Sequence, residues 1–346
     1  MARKRKMTLL SNACCPNYLL SANPDVVLDA QYSDFEEQAE RLTGFDQSYL
    51  QLSPGPFTGR FLSCVFSPEM SIHIEHCNQA LEQSIAGHPR AFVICTLVNN
   101  SEPFRLNGAD FSSSDVMIFA PGTDLFVRSP EDGAVLALVI HEDKLIQQTG
   151  LTDAARDWLR VKDFGVKVLR APQFARRMRE DTVQALQSAG FKDQSPAAIS
   201  AIGDALLSGF TAKLSLELAG SKNLQSLLGS AGYDRFQHCR QAIHGHWQDI
   251  TSVGNLLTIT GSTGSARRSV QKSFASQIDV GPLTYHRILR LHLARVALRD
   301  PQQFDASIGD IAARFEFWNW SQFTQQYQKH FGELPSHTRH QAGFEK

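Results

Sequence analysis

With 346 residues, 42% of them hydrophobic and 20% charged, the chain is long enough for two domains and has the balance of a folded protein, which excludes disorder as its organising state. The net charge of −1 decides nothing alone, but residues 232–346 carry 13 Lys and Arg against 9 Asp and Glu, while residues 1–231 carry 21 against 26. Any phosphate-binding surface is therefore expected in the last third.

In chain order, the start is basic from Met1 to Lys6 and then polar at Ser11, Asn12 and Asn17. That reads as a tail rather than a secretory leader, with a cytoplasmic protein as the expectation. The six cysteines, Cys14, Cys15, Cys64, Cys77, Cys95 and Cys239, include no C-x-x-C pair, which fits reduced thiols. No run approaches the roughly eighteen apolar residues of a membrane helix. Residues 1–45 are expected to lead into a β-rich domain over 46–142. Short β-branched or aromatic runs predict strands at 59–66, 71–75, 91–98, 115–120 and 134–140, punctuated by Asn107-Gly108, Pro121-Gly122 and Asp132-Gly133. Residues 143–228 switch to a helical period, with Phe174, Met178, Val183 and Leu186, then Ile199, Ile202, Leu206, Phe210 and Leu214. These helices fit either a dimer interface or a buried intradomain pair. A small, polar stretch near 219–232 closes the connector, and a helix-rich domain over 229–346 follows.

Within that last domain a pattern occurs twice. Ser307 is an N-cap for a short helix with Ile308, Ile311, Ala312 and Phe315 on one face. A tight turn, Glu316 to Asn319, leads to a second helix from Trp320 that buries Phe323 and Tyr327 and displays Trp320, Ser321, Thr324, Gln325 and, a turn on, Lys329. Upstream, Ser252 opens a short helix. A Gly- and Ser-containing loop over 261–266 follows, then a helix with Val270 and Phe274 inward and Arg267, Arg268, Gln271 and Lys272 outward. Two short helices across a turn make a helix-turn-helix pattern. Arginine bonds guanine in bidentate fashion and glutamine bonds adenine, so the upstream unit is the better equipped to read bases. The other reading of either face is a solvated helix surface. Between the units, Pro282 to Leu298 reads as one long helix with Leu283, Ile288, Leu291 and Leu298 inward and Arg287, Arg290 and Arg295 displayed.

The runs Arg268 to Phe274, Tyr285 to Arg295, Ser307 to Phe315 and Tyr327 to Ser336 resemble the AraC/XylS family of transcription regulators over residues 233–340. The resemblance implies a seven-helix domain that sets two recognition helices into successive major-groove faces of double-stranded DNA, roughly 34 Å apart, with RNA polymerase as a further partner. Two positions depart from the family pattern. The turn over 261–266 is about three residues longer, and Glu316 stands where glycine is usual.

The resemblance also implies a cupin-like sensor ahead of the DNA-binding domain. The expected fold is thus α+β, an antiparallel β-barrel with a helical connector and a carboxy-terminal all-α double helix-turn-helix. Barrel mouths are natural pockets for a small-molecule effector, and Arg60, Arg90, Phe92, Phe119 and Phe126 are the candidate lining residues. Each is equally a plain core or edge position. The rival reading is a metal-dependent cupin-type enzyme using His73, Glu75, His76 and His141. On a strand, His73-x-x-His76 points the two rings to opposite faces, so binding without metal, cofactor or catalysis is the expectation.

Overall fold

The computed structural model describes residues 27–41, 46–98, 102–160, 165–190, 194–220, 224–226, 231–261, 267–303 and 305–341. The basic start, Cys14-Cys15, the loop over 262–266 and most of the polar stretch before Gly232 lie outside the described residues.

Two antiparallel sheets face each other, open at their edges rather than closed into a barrel. The first has eight strands in the order β1 (Val27–Tyr32), β3 (Gly59–Ser67), β4 (Met70–Cys77), β11 (Gly133–His141), β6 (Ala91–Leu97), β9 (Asp115–Phe119), β12 (Val166–Arg170) and β13 (Leu224–Ser226). The second has five, β2 (Asp46–Gln51), β5 (Leu81–Ala86), β10 (Leu125–Ser129), β7 (Phe104–Leu106) and β8 (Ala109–Phe111). All five expected strands belong to the first sheet. Its central strands are apolar on both faces, because both are covered. On β11, Leu136, Leu138 and Ile140 pack towards helices, whereas Val135, Ala137 and Val139 face the second sheet. At Asn107-Gly108 both residues have positive φ, 45° and 87°, the two-residue hairpin that this dipeptide favours.

Helices α4 (Pro172–Ala189) and α5 (Pro196–Gly220) cover the outer face of the first sheet, with Phe174 and Phe210 in ring contact at 5.3 Å. Gly203 lets α5 approach β3: a Cβ there would lie 2.6 Å from Phe66 Cβ. Two readings of this segment change. Strand β12 interrupts the connector expected to be wholly helical, held by its register with β9, Val168 opposite Met117. And α5 does have the length and mean hydropathy, 1.2, of a membrane span. Its Leu207, Phe210 and Leu214 are buried in the sheet-and-helix core.

The last domain has seven α-helices among the described residues: α6 (Ala231–Gly245), α7 (Val253–Ile259), α8 (Arg267–Ile278), α9 (Pro282–Arg299), α10 (Ile308–Arg314), α11 (Trp320–Phe331) and α12 (Pro335–Gln341). It shares hydrophobic cores with the β-domain instead of hanging from a tether. Phe35, Tyr49, Phe57 and Phe61 pack with Leu291, Leu298, Phe323, Tyr327 and Phe331. Leu50, Leu52 and Phe126 pack with Phe236, Phe274 and Tyr285.

Candidate nucleic-acid interface

Each helix-turn-helix unit is built from local signals. Ser252 caps α7, its hydroxyl accepting from Asn255 N at 3.1 Å. Ser307 and Asp310 form a capping box on α10, and Asn319 caps α11, accepting from Gln322 N at 3.0 Å. In α8, Val270 and Phe274 are buried, Phe274 against Phe236 at 5.0 Å and Tyr285 at 5.6 Å. That anchoring turns Arg267, Arg268, Gln271 and Lys272 outward, and all four are exposed on one face. None of the three cations is ion-paired to a described residue. In α11, Phe323, Tyr327 and Phe331 stack along the inner face, with centroids 5.6 and 4.7 Å apart. Trp320, Ser321, Gln325 and Lys329 are exposed, whereas Thr324 is half-buried with an unpartnered hydroxyl. Trp318, 81% exposed in the turn before α11, was missed by the sequence reading. Its signal was the spacing Trp318-Asn319-Trp320, two aromatics flanking a cap.

The turn between α10 and α11 carries Glu316 at φ +61°, the left-handed backbone that a glycine would adopt without cost. Arg290 holds it. Its guanidinium donates to the carbonyls of Phe315 (2.9 Å) and Glu316 (2.8 Å), lies 3.8 Å from the Glu316 carboxylate and sits over the Phe317 ring. The long helix α9 thus departs from its expected face. Arg287 is displayed, but Arg290 is a half-buried clamp and Arg295 is buried, while Leu283 is 41% exposed. The reasons differ: Arg290 is taken up by the turn between α10 and α11, whereas Arg295 is covered by the docked β-domain, where Asp34 and Glu36 receive it.

That interface is polar where it is deepest. Arg295 bonds Asp34 (2.7 Å), Glu36 (3.0 Å) and Glu333 (3.2 Å), and Arg299 bonds Asp34 (2.7 Å) and Glu36 (2.5 Å). Asp34 and Glu36 belong to the start of α1 (Phe35–Ala39), which Asp34 caps. Burial opposes charge on Asp34, but Arg295 and Arg299 hold its pKa below the usual value; burial and the adjacent Asp34 push Glu36 up despite the same arginines. On β2, Gln51 N donates to His292 Nε2 at 3.1 Å, and His330 Nε2 donates to Gln51 O at 3.0 Å. On β5, Glu82 accepts from Arg240 of α6 (2.6 Å) and Tyr285 of α9 (2.9 Å). Arg105 and Arg128 meet Asp279, just past the end of α8.

A cavity of about 100 Å³ lies between the two sheets, lined among others by Glu75, Val93, Cys95, Met117, Phe119 and Val139. Of the five candidate lining residues, Phe119 reaches it. Arg60 is buried on β3 against Asp29 of β1, at 2.7 Å. Phe92 points the other way, into the helix-covered core. Phe126 packs on Phe236, and Arg90 is exposed before β6. Strand alternation sends neighbours to opposite faces, and only the tertiary packing tells which face meets the cavity. His73 stacks on Phe61 at 5.6 Å, with burial lowering its pKa to about 4. His76 lies 3.9 Å from Asp132 and His141 3.7 Å from Asp143. Among the described residues, no three His, Cys, Asp or Glu side chains gather as a ligand set.

Residues 260–341 match the family model described as a helix-turn-helix domain. Curated relatives include the XylDLEGF operon transcriptional activator of Pseudomonas putida, 30% identical over 134 residues, which is 39% of this chain and 40% of that protein. The XylDLEGF operon transcriptional activator 3 of the same organism is 28% identical over 118 residues, 34% of this chain and 35% of that protein. The chain thus spans about 40% of the first relative's length and less of the second's. Solved structures with some likeness include the AraC-like transcriptional activator CuxR (11% identity, 78% of this chain and 94% of that one, TM-score 0.39) and ToxT from Vibrio cholerae (11%, 86% and 98%, TM-score 0.26).

Proposed function

We propose that this chain, which belongs to the AraC/XylS family through its carboxy-terminal helix-turn-helix domain, is a sequence-specific DNA-binding transcription activator controlled by a small molecule held in its β-domain. The observation that carries the reading is the free face of α8. Arg267, Arg268, Gln271 and Lys272 are exposed together, while Phe236, Val270, Phe274, Tyr285 and Ile288 pack the inner faces of α6, α8 and α9 against one another and against the β-domain. A face that offers bidentate donors and charge with no ion-pair partner among the described residues, anchored by Phe274 from behind, suits base edges and phosphates. In this reading Trp320, Ser321, Thr324, Gln325 and Lys329 contact the adjacent groove, and Trp318 stacks beside them.

The division into a lead-in over 1–45, a sensor over 46–142, a connector over 143–228 and a DNA-binding domain over 229–346 belongs to the same proposal. So do action through RNA polymerase, and a homodimer in which the outer face of α5, where Leu216 is 74% exposed, meets a second copy.

Genomic footprinting with the full-length protein identifies the bound sites. On such a site Arg268→Ala is expected to weaken binding by about 1–3 kcal/mol and relax preference at one base pair. Equal loss on every sequence would reassign Arg268 to the phosphate backbone, and binding that does not weaken with salt would sink the DNA reading.

A further inference from the structure

The cavity between the sheets has walls of aliphatic and aromatic side chains with one carboxylate among them. Glu75 of β4 accepts from Tyr49 Oη at 2.6 Å and from Gln38 Nε2 at 2.9 Å, with Gln83 as a third neutral donor. It keeps accessible surface although it sits on an inner face deep in the domain, so that surface opens onto the cavity. Among the lining residues there is no Lys or Arg, and His88 is the sole one able to take a positive charge. His88 lies in the loop beside Thr123, where Gly87 leaves 2.3 Å between a would-be Cβ and Thr123 O. Among the described residues Glu75 therefore meets neutral donors and no counter-charge, and burial raises its pKa. An ionised carboxylate in apolar surroundings carries a desolvation cost that a cation removes.

We propose that the cavity receives a small aliphatic amine whose apolar body fills the space and whose ammonium pairs with Glu75. This rests on the reading of the β-domain as an effector domain, and it names the ligand's chemistry. About 100 Å³ suits roughly four heavy atoms, since a cavity of about 150 Å³ takes benzene. A carboxylate of the same size would set a like charge beside Glu75, and an alcohol would donate to it without supplying a counter-charge. The partners that an ammonium would compete with also lead outward. Gln38 sits in α1, whose Asp34 and Glu36 grip Arg295 and Arg299, and Tyr49 sits on β2, whose Gln51 meets His292 and His330. Occupancy therefore has a route to the linker helix of the DNA-binding domain.

The test is ligand-observed NMR on the full-length protein with propylamine, propan-1-ol and acetate, which have equal numbers of heavy atoms. The amine is expected to bind about tenfold or more tighter than the alcohol, with acetate weakest. Glu75→Gln should bring amine and alcohol within about threefold, and Ala137→Phe, which fills the cavity, should abolish binding of both. Acetate binding as tightly as the amine would overturn the proposal, as would an amine preference that survives Glu75→Gln, or binding by none of the three. Binding of the alcohol or acid without preference for the amine overturns the role of Glu75 and leaves effector control standing. Amine binding that leaves operator affinity unchanged supports the ligand assignment and counts against effector control.

Discussion

Glu316 shows how a single residue can contradict a family pattern and still be accommodated. A side chain at φ +61° costs on the order of 1 kcal/mol relative to glycine. The Arg290 guanidinium returns part of that through its carboxylate contact, but at 3.8 Å and half-exposed the pair is worth only about 0–1 kcal/mol. The carbonyl bonds from Arg290 do not depend on the side chain at 316. Glu316→Gly is therefore expected to raise unfolding stability by about 0.5–1 kcal/mol, whereas Glu316→Ala, which keeps the strain and loses the contact, should lower it slightly. Urea unfolding of both variants reads the sign. A loss of stability in the glycine variant would mean that the ion pair outweighs the strain. The departure itself was legible in the sequence; that Arg290 neutralises the carboxylate was not, because the two are 26 residues apart.

At the scale of elements, α9 is the part whose role changed most between pattern and packing. Its arginines follow a helical stripe that reads as solvated, yet Arg295 has only 5% of its side chain accessible and holds three carboxylates. Removing one partner of such a buried cluster leaves charge uncompensated, so Arg295→Ala should destabilise the protein by about 3–5 kcal/mol. Arg287→Ala, on the exposed face of the same helix, should stay within about 0.5 kcal/mol. Equal effects in chemical denaturation would refute the assignment of the two faces. The second sheet was illegible for a related reason. Its strands, such as Leu81–Ala86 and Asp46–Gln51, are short and carry Glu82, Gln83, Ser84, Gln47 and Gln51, because one face lines a cavity and the other meets the helical domain through hydrogen bonds. In the first sheet the five contiguous strands β3, β4, β11, β6 and β9 are apolar runs legible as strands, whereas β1, β12 and β13, towards its two ends, were not. By contrast, the caps at Ser252, Ser307 and Asn319 act within three residues, and the two helix-turn-helix units could be read from local order alone.

For the whole molecule, the docking of the two domains is tied to protonation. Burial lowers the pKa of His330 to about 4 and pushes His292 well below its usual value, the neighbouring His330 and Arg295 adding to the effect. A histidine whose folded pKa lies below its unfolded value of about 6.5 takes up protons preferentially in the opened state. Its contribution is complete above about pH 6.5 and is lost as pH falls towards 4. At pH 5 the His330 site alone should cost about 2 kcal/mol of docking stability relative to pH 7. Limited proteolysis and thermal unfolding between pH 7 and pH 5 should show domain separation or a lower midpoint, and His330→Gln should flatten that dependence. An unchanged midpoint across this range would rule the histidines out as a brace. The sequence by itself determined the helix-turn-helix units, the residues on the outer face of α8, the five contiguous strands β3, β4, β11, β6 and β9 of the first sheet and the odd residue at 316, since periodicity, capping and charge act over a few neighbouring positions. The tertiary structure alone decided which face of each strand meets the cavity, that Glu75 stands there with no counter-charge among the described residues, and that Arg295 is buried. Those outcomes depend on groups brought together from dozens to hundreds of residues apart, where burial sets the energy and no local pattern records it.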